Sequence, residues 1–203
     1  MTDEMKNSAD GARSKTFCFA LSFLAVALAL IAYESFYYFS ASPLDEEQKA
    51  LLAWEGIQAP DFSMTNVDGQ AIRLADLKGK RVIFNFWATW CVPCLVEIPN
   101  FIKLRAETSP TNVVILGLST DNAATQKTFS QRNGINYPLA ILQYVPSPYQ
   151  DVAKIPVTMV IDRNGVIQHV VFSAQDLKTL EKFAVEADFS GQVKPTLDSQ
   201  SPK

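Results

Sequence analysis

RVIFNFWATWCVPC, residues 81–94, is a β-branched and aromatic run that closes on two cysteines three apart. Arg81–Phe86 shows no polar alternation, the pattern of a strand covered on both faces, and a helical pattern begins after Cys91. The stretch is therefore a strand-to-helix junction with Cys91 at the helix N-terminus. Free backbone N–H groups and the positive end of the helix dipole stabilise a thiolate there, which makes Cys91 the nucleophile. Cys94, one turn deeper on the same side, is placed to attack a mixed disulfide on Cys91 and release the partner as a dithiol. Pro93 falls where no intrahelical N–H is needed, so it stiffens the turn without breaking the helix. Trp90, next to the thiolate, shapes the docking surface, whereas Phe86 reads as core.

Residues on either side extend the pattern. Asn112–Ser119 (NVVILGLS) is a second buried strand, and Asn122–Arg132 is helical with Asn133-Gly134 as its stop. Strand, helix and strand make a βαβ unit with a parallel pair and a right-handed crossover. Val157–Asp162 and Val166–Phe172 flank Arg163-Asn164-Gly165 as a hairpin, and Asp176–Glu186 closes as an amphipathic helix. Upstream, Asp61–Leu74 alternates around Asp68-Gly69, a second hairpin signal. The fold class is α/β, a βαβ unit followed by ββα with a two-stranded ribbon in front.

A chain of 203 residues with 48% hydrophobic content buries one full core. The net charge of -3 supplies no basic stripe, which excludes nucleic acid as a partner. The three cysteines, Cys18, Cys91 and Cys94, are too few for a disulfide scaffold, and His169 as the single histidine leaves no zinc set. No metal or cofactor is expected beyond the Cys91–Cys94 redox pair.

Phe17–Phe39 carries Glu34 as its only charge, and as a helix it spans roughly 35 Å against a hydrocarbon core of about 30 Å. Lys6, Arg13 and Lys15 precede it and Asp45, Glu46 and Glu47 follow, so the positive-inside bias puts the C-terminal part outside the cytoplasm. The rival reading, a cleaved signal peptide, fails on the length of the apolar run, which exceeds the usual 7 to 15 or so residues. The expected organisation is a cytoplasmic N-terminus (1–16), a transmembrane anchor (17–39), a linker (40–56) whose Leu51, Leu52 and Trp54 pack on the domain surface, a redox domain (57–188) and a disordered polar tail (189–203).

NFWATWCVPC together with Glu97-Ile98-Pro99, the segment Arg132–Pro138 and the run Ile155–Gly165 resembles the membrane-anchored thioredoxin-like proteins of the TlpA/ResA/DsbE (CcmG) group. The resemblance covers about 57–188 and implies a thioredoxin-like fold, a central mixed sheet with flanking helices. It implies that Pro156 is a cis-proline facing the disulfide, with the Ile155 backbone offered to an incoming peptide. It also makes Glu97 the acid that exchanges a proton with the buried thiol. Asn85 stands where thioredoxin proper has a buried Asp, so that duty falls to Glu97. A donor of CcdA/DsbD type and targets such as apocytochrome c or copper-assembly proteins follow from the same resemblance, as does a place in a bacterial inner membrane facing the periplasm.

Val92 and Pro93 offer no charge or donor to make the Cys91 thiolate strongly acidic, which favours a reductant over a disulfide-forming oxidase. A thiol peroxidase would need Pro and Thr in a PxxxTxxC signature where this chain has Phe84 and Ala88. A copper-delivery module would need a CxxxC set with a histidine.

Overall fold

The computed structural model describes residues 24, 26–31 and 44–194. The chain divides into two units, Met1–Leu44 and Asp45–Lys203. In the first, residues 24 and 26–31 are helical. No helix among the described residues is long and apolar enough to cross a membrane. The span expected at 17–39 lies, apart from that short helical stretch, outside the described residues.

The second unit opens with α1 (Glu46–Leu52), started by a capping box in which Asp45 accepts from the Gln48 N–H and the Gln48 side chain accepts from the Asp45 N–H. Then come β1 (Ser63–Asn66) and β2 (Ala71–Arg73), the expected hairpin, with Gly69 at φ 83° in its turn. β3 (Arg81–Phe86), α2 (Val92–Glu107) and β4 (Val113–Ser119) form the βαβ unit, and α3 (Ala123–Asn133) ends at Gly134 in the left-handed conformation. β5 (Leu139–Ile141) follows, then β6 (Val157–Ile161), β7 (Ile167–Phe172) and α4 (Leu177–Val185). The seven strands make one mixed sheet in the order β2-β1-β5-β4-β3-β6-β7, with β3, β4 and β5 parallel and the other pairings antiparallel. The hairpin ribbon is thus part of the central sheet, joined to it through β5.

Alternation along the strands separates two cores. Val82, Phe84 and Phe86 enter one, with Leu116, Leu118, Met159 and the aromatic group Phe62 and Tyr149. Ile83 and Trp87 enter the other, with Ile115, Val160, both cysteines, Phe101 of α2 and Phe183 of α4.

Two boundaries differ from expectation. The linker proposed at 40–56 is from Asp45 onward part of the domain: Leu51 is 1% exposed and packs with Trp54 and Ile57 in the first core. The apolar side of this short helix has a sheet face to cover, and burying it there is favourable at about 25 cal/mol per Å². Past 188, the Phe189 N–H donates to Asp162 Oδ2 (2.9 Å) and the Lys194 N–H to the Gly56 carbonyl (2.9 Å), so residues 189–194 pack on the domain. Residues 195–203 lie outside the described residues.

Candidate active site

β3 ends at Phe86, and the chain turns through 87–90 to deliver Cys91 as the N-cap of α2. Its Sγ accepts the Cys94 N–H at 3.2 Å, satisfying one of the free donors of the first turn. Cys91 and Cys94 are joined in a disulfide, their Cα atoms 5.3 Å apart. Both are buried, while Val92 and Pro93 between them face solvent.

Glu97, one turn beyond Cys94, is 0% exposed. Asn85 Nδ2 donates to its Oε1 at 2.5 Å, and the backbone N–H of Gln175, just ahead of α4, donates to its Oε2 at 3.0 Å. Burial disfavours the charged form more than these two hydrogen bonds favour it, and the carboxyl is pushed from an ordinary 4.5 up to about 7. Asn85 is fully buried on β3, directly under the helix. A carboxyl that titrates near neutrality beside a buried cysteine can take or give a proton at physiological pH. Tyr137, buried in the same core, has its hydroxyl pKa raised by burial and further by the charge of Glu97.

Around the disulfide the apolar residues face outward. Trp90, Val92 and Val96 are 69%, 71% and 66% exposed. Trp90 and Ile155 line a cleft of about 210 Å³ together with Trp87, Leu118, Leu142 and Val152. The Ile155–Pro156 bond is cis and Pro156 is buried. Val157 pairs with Phe86 across β6 and β3, so Pro156 and the cysteine turn lie at the same end of that strand pair. The larger cleft, about 420 Å³ between Pro60, Leu77, Val82 and Asp162, opens at the opposite end and contains no cysteine.

Cys91, Cys94, Glu97, Trp90, Pro93, Ile155 and Pro156 are therefore gathered at one end of the sheet. His169 is elsewhere, half-buried on β7, hydrogen-bonded to Glu186 (2.8 Å) and stacked on Phe183. Sequence reasoning missed Gln175, which acts through its backbone and carries no side-chain signal. It also missed Tyr137 and Thr158, whose buried hydroxyls find no partner among the described residues.

A disulfide that caps a helix and sits beside an apolar cleft exchanges with other thiols and disulfides, and the class so defined is that of the thioredoxin-like proteins. The chain belongs to the AhpC/TSA family, whose model matches residues 56–170, and within it to the thiol-disulfide oxidoreductases of ResA and DsbE type. It is 34% identical over 131 residues to the thioredoxin-like protein YneN of Bacillus subtilis, covering 63% of this chain and 77% of that protein. It is likewise 34% identical over 131 residues to the thiol-disulfide oxidoreductase ResA of Bacillus anthracis, covering 63% and 75%. Among solved structures it resembles a thiol:disulfide interchange protein of Chlorobium tepidum, with a TM-score of 0.56 and 28% identity over 63% of this chain and 93% of that one.

Proposed function

We propose that the protein is a membrane-anchored, extracytoplasmic dithiol reductant of protein disulfides, acting in cytochrome c maturation or copper-site assembly. The observation that carries the reading is the Cys91–Cys94 disulfide at the start of α2 with a neutral-titrating carboxyl, Glu97, buried one turn below it. Cys91 attacks the target, Cys94 resolves the mixed disulfide, and Glu97 takes the proton that the Cys94 thiol must lose. Trp90, Pro93 and the Ile155-Pro156 segment receive the substrate chain.

The direction of electron flow is supported by the turn itself. Beyond the Cys94 N–H that Cys91 Sγ accepts, Val92 and Pro93 add neither charge nor side-chain donor to make the thiolate very acidic, which favours a reductant over a strong oxidant. The anchor is supported by the apolar run 17–39 and its charge flanks. A reductant held outside the cytoplasm needs electrons from a membrane donor, of CcdA/DsbD type by the resemblance. Thiol peroxidase chemistry is disfavoured because the hydroxyl and proline it needs are replaced by Ala88 and Phe84, both buried among apolar side chains.

The test is the equilibrium potential of the Cys91/Cys94 couple. A value at or below about -200 mV supports a reductant, and one near about -120 mV makes the protein an oxidase.

A further inference from the structure

Around the second core four buried polar atoms have no partner among the described residues: Asn85 Oδ1, Trp87 Nε1, the Tyr137 hydroxyl and Thr158 Oγ1. Thr158 is fully buried and stands directly opposite Asn85 across the antiparallel β3–β6 pair. Directly opposed side chains share a sheet face, with Cβ atoms about 4.5–5.5 Å apart. Thr158, Asn85 and Glu97 therefore follow one another from β6 to β3 to α2. Glu97 touches Asn85 through one end of the carboxamide, and the other end has no assigned contact.

Glu97 makes opposite demands in its two forms. Ionised, it only accepts, and Asn85 must present Nδ2. Protonated, it keeps Oε2 as acceptor for the fixed Gln175 N–H; with the proton on Oε1 its O–H donates toward Asn85, which then presents Oδ1. Each time the carboxamide turns over, its far end changes from acceptor to donor. A neighbour that serves both states must donate in the first and accept in the second, which a hydroxyl does and a carbonyl or an amide N–H does not.

We propose that Thr158 is a positioning residue for proton transfer at Glu97: its hydroxyl, directly or through one water, holds the Asn85 carboxamide in whichever orientation the protonation state of Glu97 requires. The inference rests on the reading of Glu97 as proton acceptor. In the resolving step the Cys94 thiol gives its proton to the Glu97 carboxylate, and its sulfur attacks Cys91 Sγ. The Cys91–Cys94 bond forms, the bond from Cys91 to the target breaks, and the target leaves as a thiolate. Across the whole exchange two electrons pass from the protein dithiol to the target disulfide.

The other titratable groups around Glu97 are Cys91 and Cys94 on its own helix and Tyr137 ahead of β5. α4 brings Leu177, Leu180, Phe183 and Ala184 to this core, and β6 brings Thr158 and Val160. None of these carries a fixed charge.

The test compares Thr158→Val, Thr158→Ser and Glu97→Gln in the full chain, following the pH dependence of exchange with a peptide disulfide. A buried orphan N–H is less tolerated than an under-satisfied carbonyl, so loss of the hydroxyl favours the Asn85 orientation that serves ionised Glu97. Thr158→Val is expected to move the inflection to lower pH by about half a unit, a threefold change in proton binding, with Thr158→Ser restoring it. If Thr158→Val unfolds less readily than wild type and keeps the wild-type inflection, the hydroxyl is a dry orphan and the proposal is overturned. If Thr158→Val fails to fold, a Thr158→Ser profile matching wild type supports the proposal and a displaced one overturns it. An inflection unmoved by Glu97→Gln overturns instead the underlying reading of Glu97.

Discussion

The two faces of the central sheet are made by the same strands and do different work. On one, Phe84 sits among Phe62, Phe86 and Tyr149, with ring centroids 5.7–6.2 Å from its own, and the Tyr149 hydroxyl is satisfied by the Pro60 carbonyl at 3.0 Å. On the other, the alternate residues of the same strand place Asn85 under a buried carboxyl, and Trp87, just past the strand's end, packs in the core that holds the disulfide. The first face is apolar and satisfied. The second accepts a desolvated acid and unpartnered polar atoms, both of which cost stability. Protein stability of about 5–15 kcal/mol can bear that cost because the first face contributes without doing chemistry.

If the faces divide the work in this way, cutting into the first should cost the most stability and change the exchange chemistry least. Phe84→Ala removes a fully buried ring from the aromatic group and should destabilise by about 3–5 kcal/mol in urea unfolding. The exchange rate per folded molecule should stay at the wild-type value. A slowed exchange in the folded variant would show that the faces are mechanically coupled.

Glu97→Gln probes the second face and should act with the opposite sign. The folded-state pKa of about 7 lies above the ordinary 4.5, so the folded protein keeps a proton that the unfolded chain has lost between those values. Stability from this group is therefore full below about pH 4.5, falls as pH rises to about 7, and stays low above it. Glu97→Gln removes that loss, so above pH 7 it should be more stable than wild type by roughly 3 kcal/mol, with equal stability at pH 4. Exchange should slow at the same time. Parallel stability curves for the two proteins across that window would mean that Glu97 is solvated in solution.

The contrast also explains what the sequence disclosed. Strand parity along RVIFNF, the hairpins at Asp68-Gly69 and Asn164-Gly165 and the cysteine turn were legible because each depends on local pattern. β5 was not: it has three residues directly after Tyr137-Pro138, too few for a period to show. α1 reads as a polar connector because only Leu51 of its seven residues is buried. The burial of Glu97 was the hardest to see. At the start of α2 the usual hydrophobic order is inverted, since Val92 and Val96 face solvent while Glu97 is enclosed. Hydrophobicity alone predicts the reverse, and only the family resemblance pointed inward. In physical terms the site needs apolar groups outside for docking and an acid inside for proton transfer.

That inversion yields the prediction with the smallest effect on stability. Trp90 is 69% exposed beside the disulfide, so Trp90→Ala removes little packing and should change unfolding by no more than about 0.5 kcal/mol. Its indole nevertheless lines the cleft with Ile155 and Leu142, where a protein substrate would lay apolar side chains while its sulfur meets Cys91. Trp90→Ala should therefore raise KM for a protein disulfide while leaving the rate with a small disulfide such as oxidised glutathione unchanged. The small molecule reaches the sulfur without covering the cleft and so reports the thiol chemistry alone. Equal loss with both substrates would place Trp90 in the chemistry of the sulfur rather than in docking. Equal retention would mean that the exposed apolar rim contributes nothing to recognition, and the inversion at the start of α2 would then need another cause.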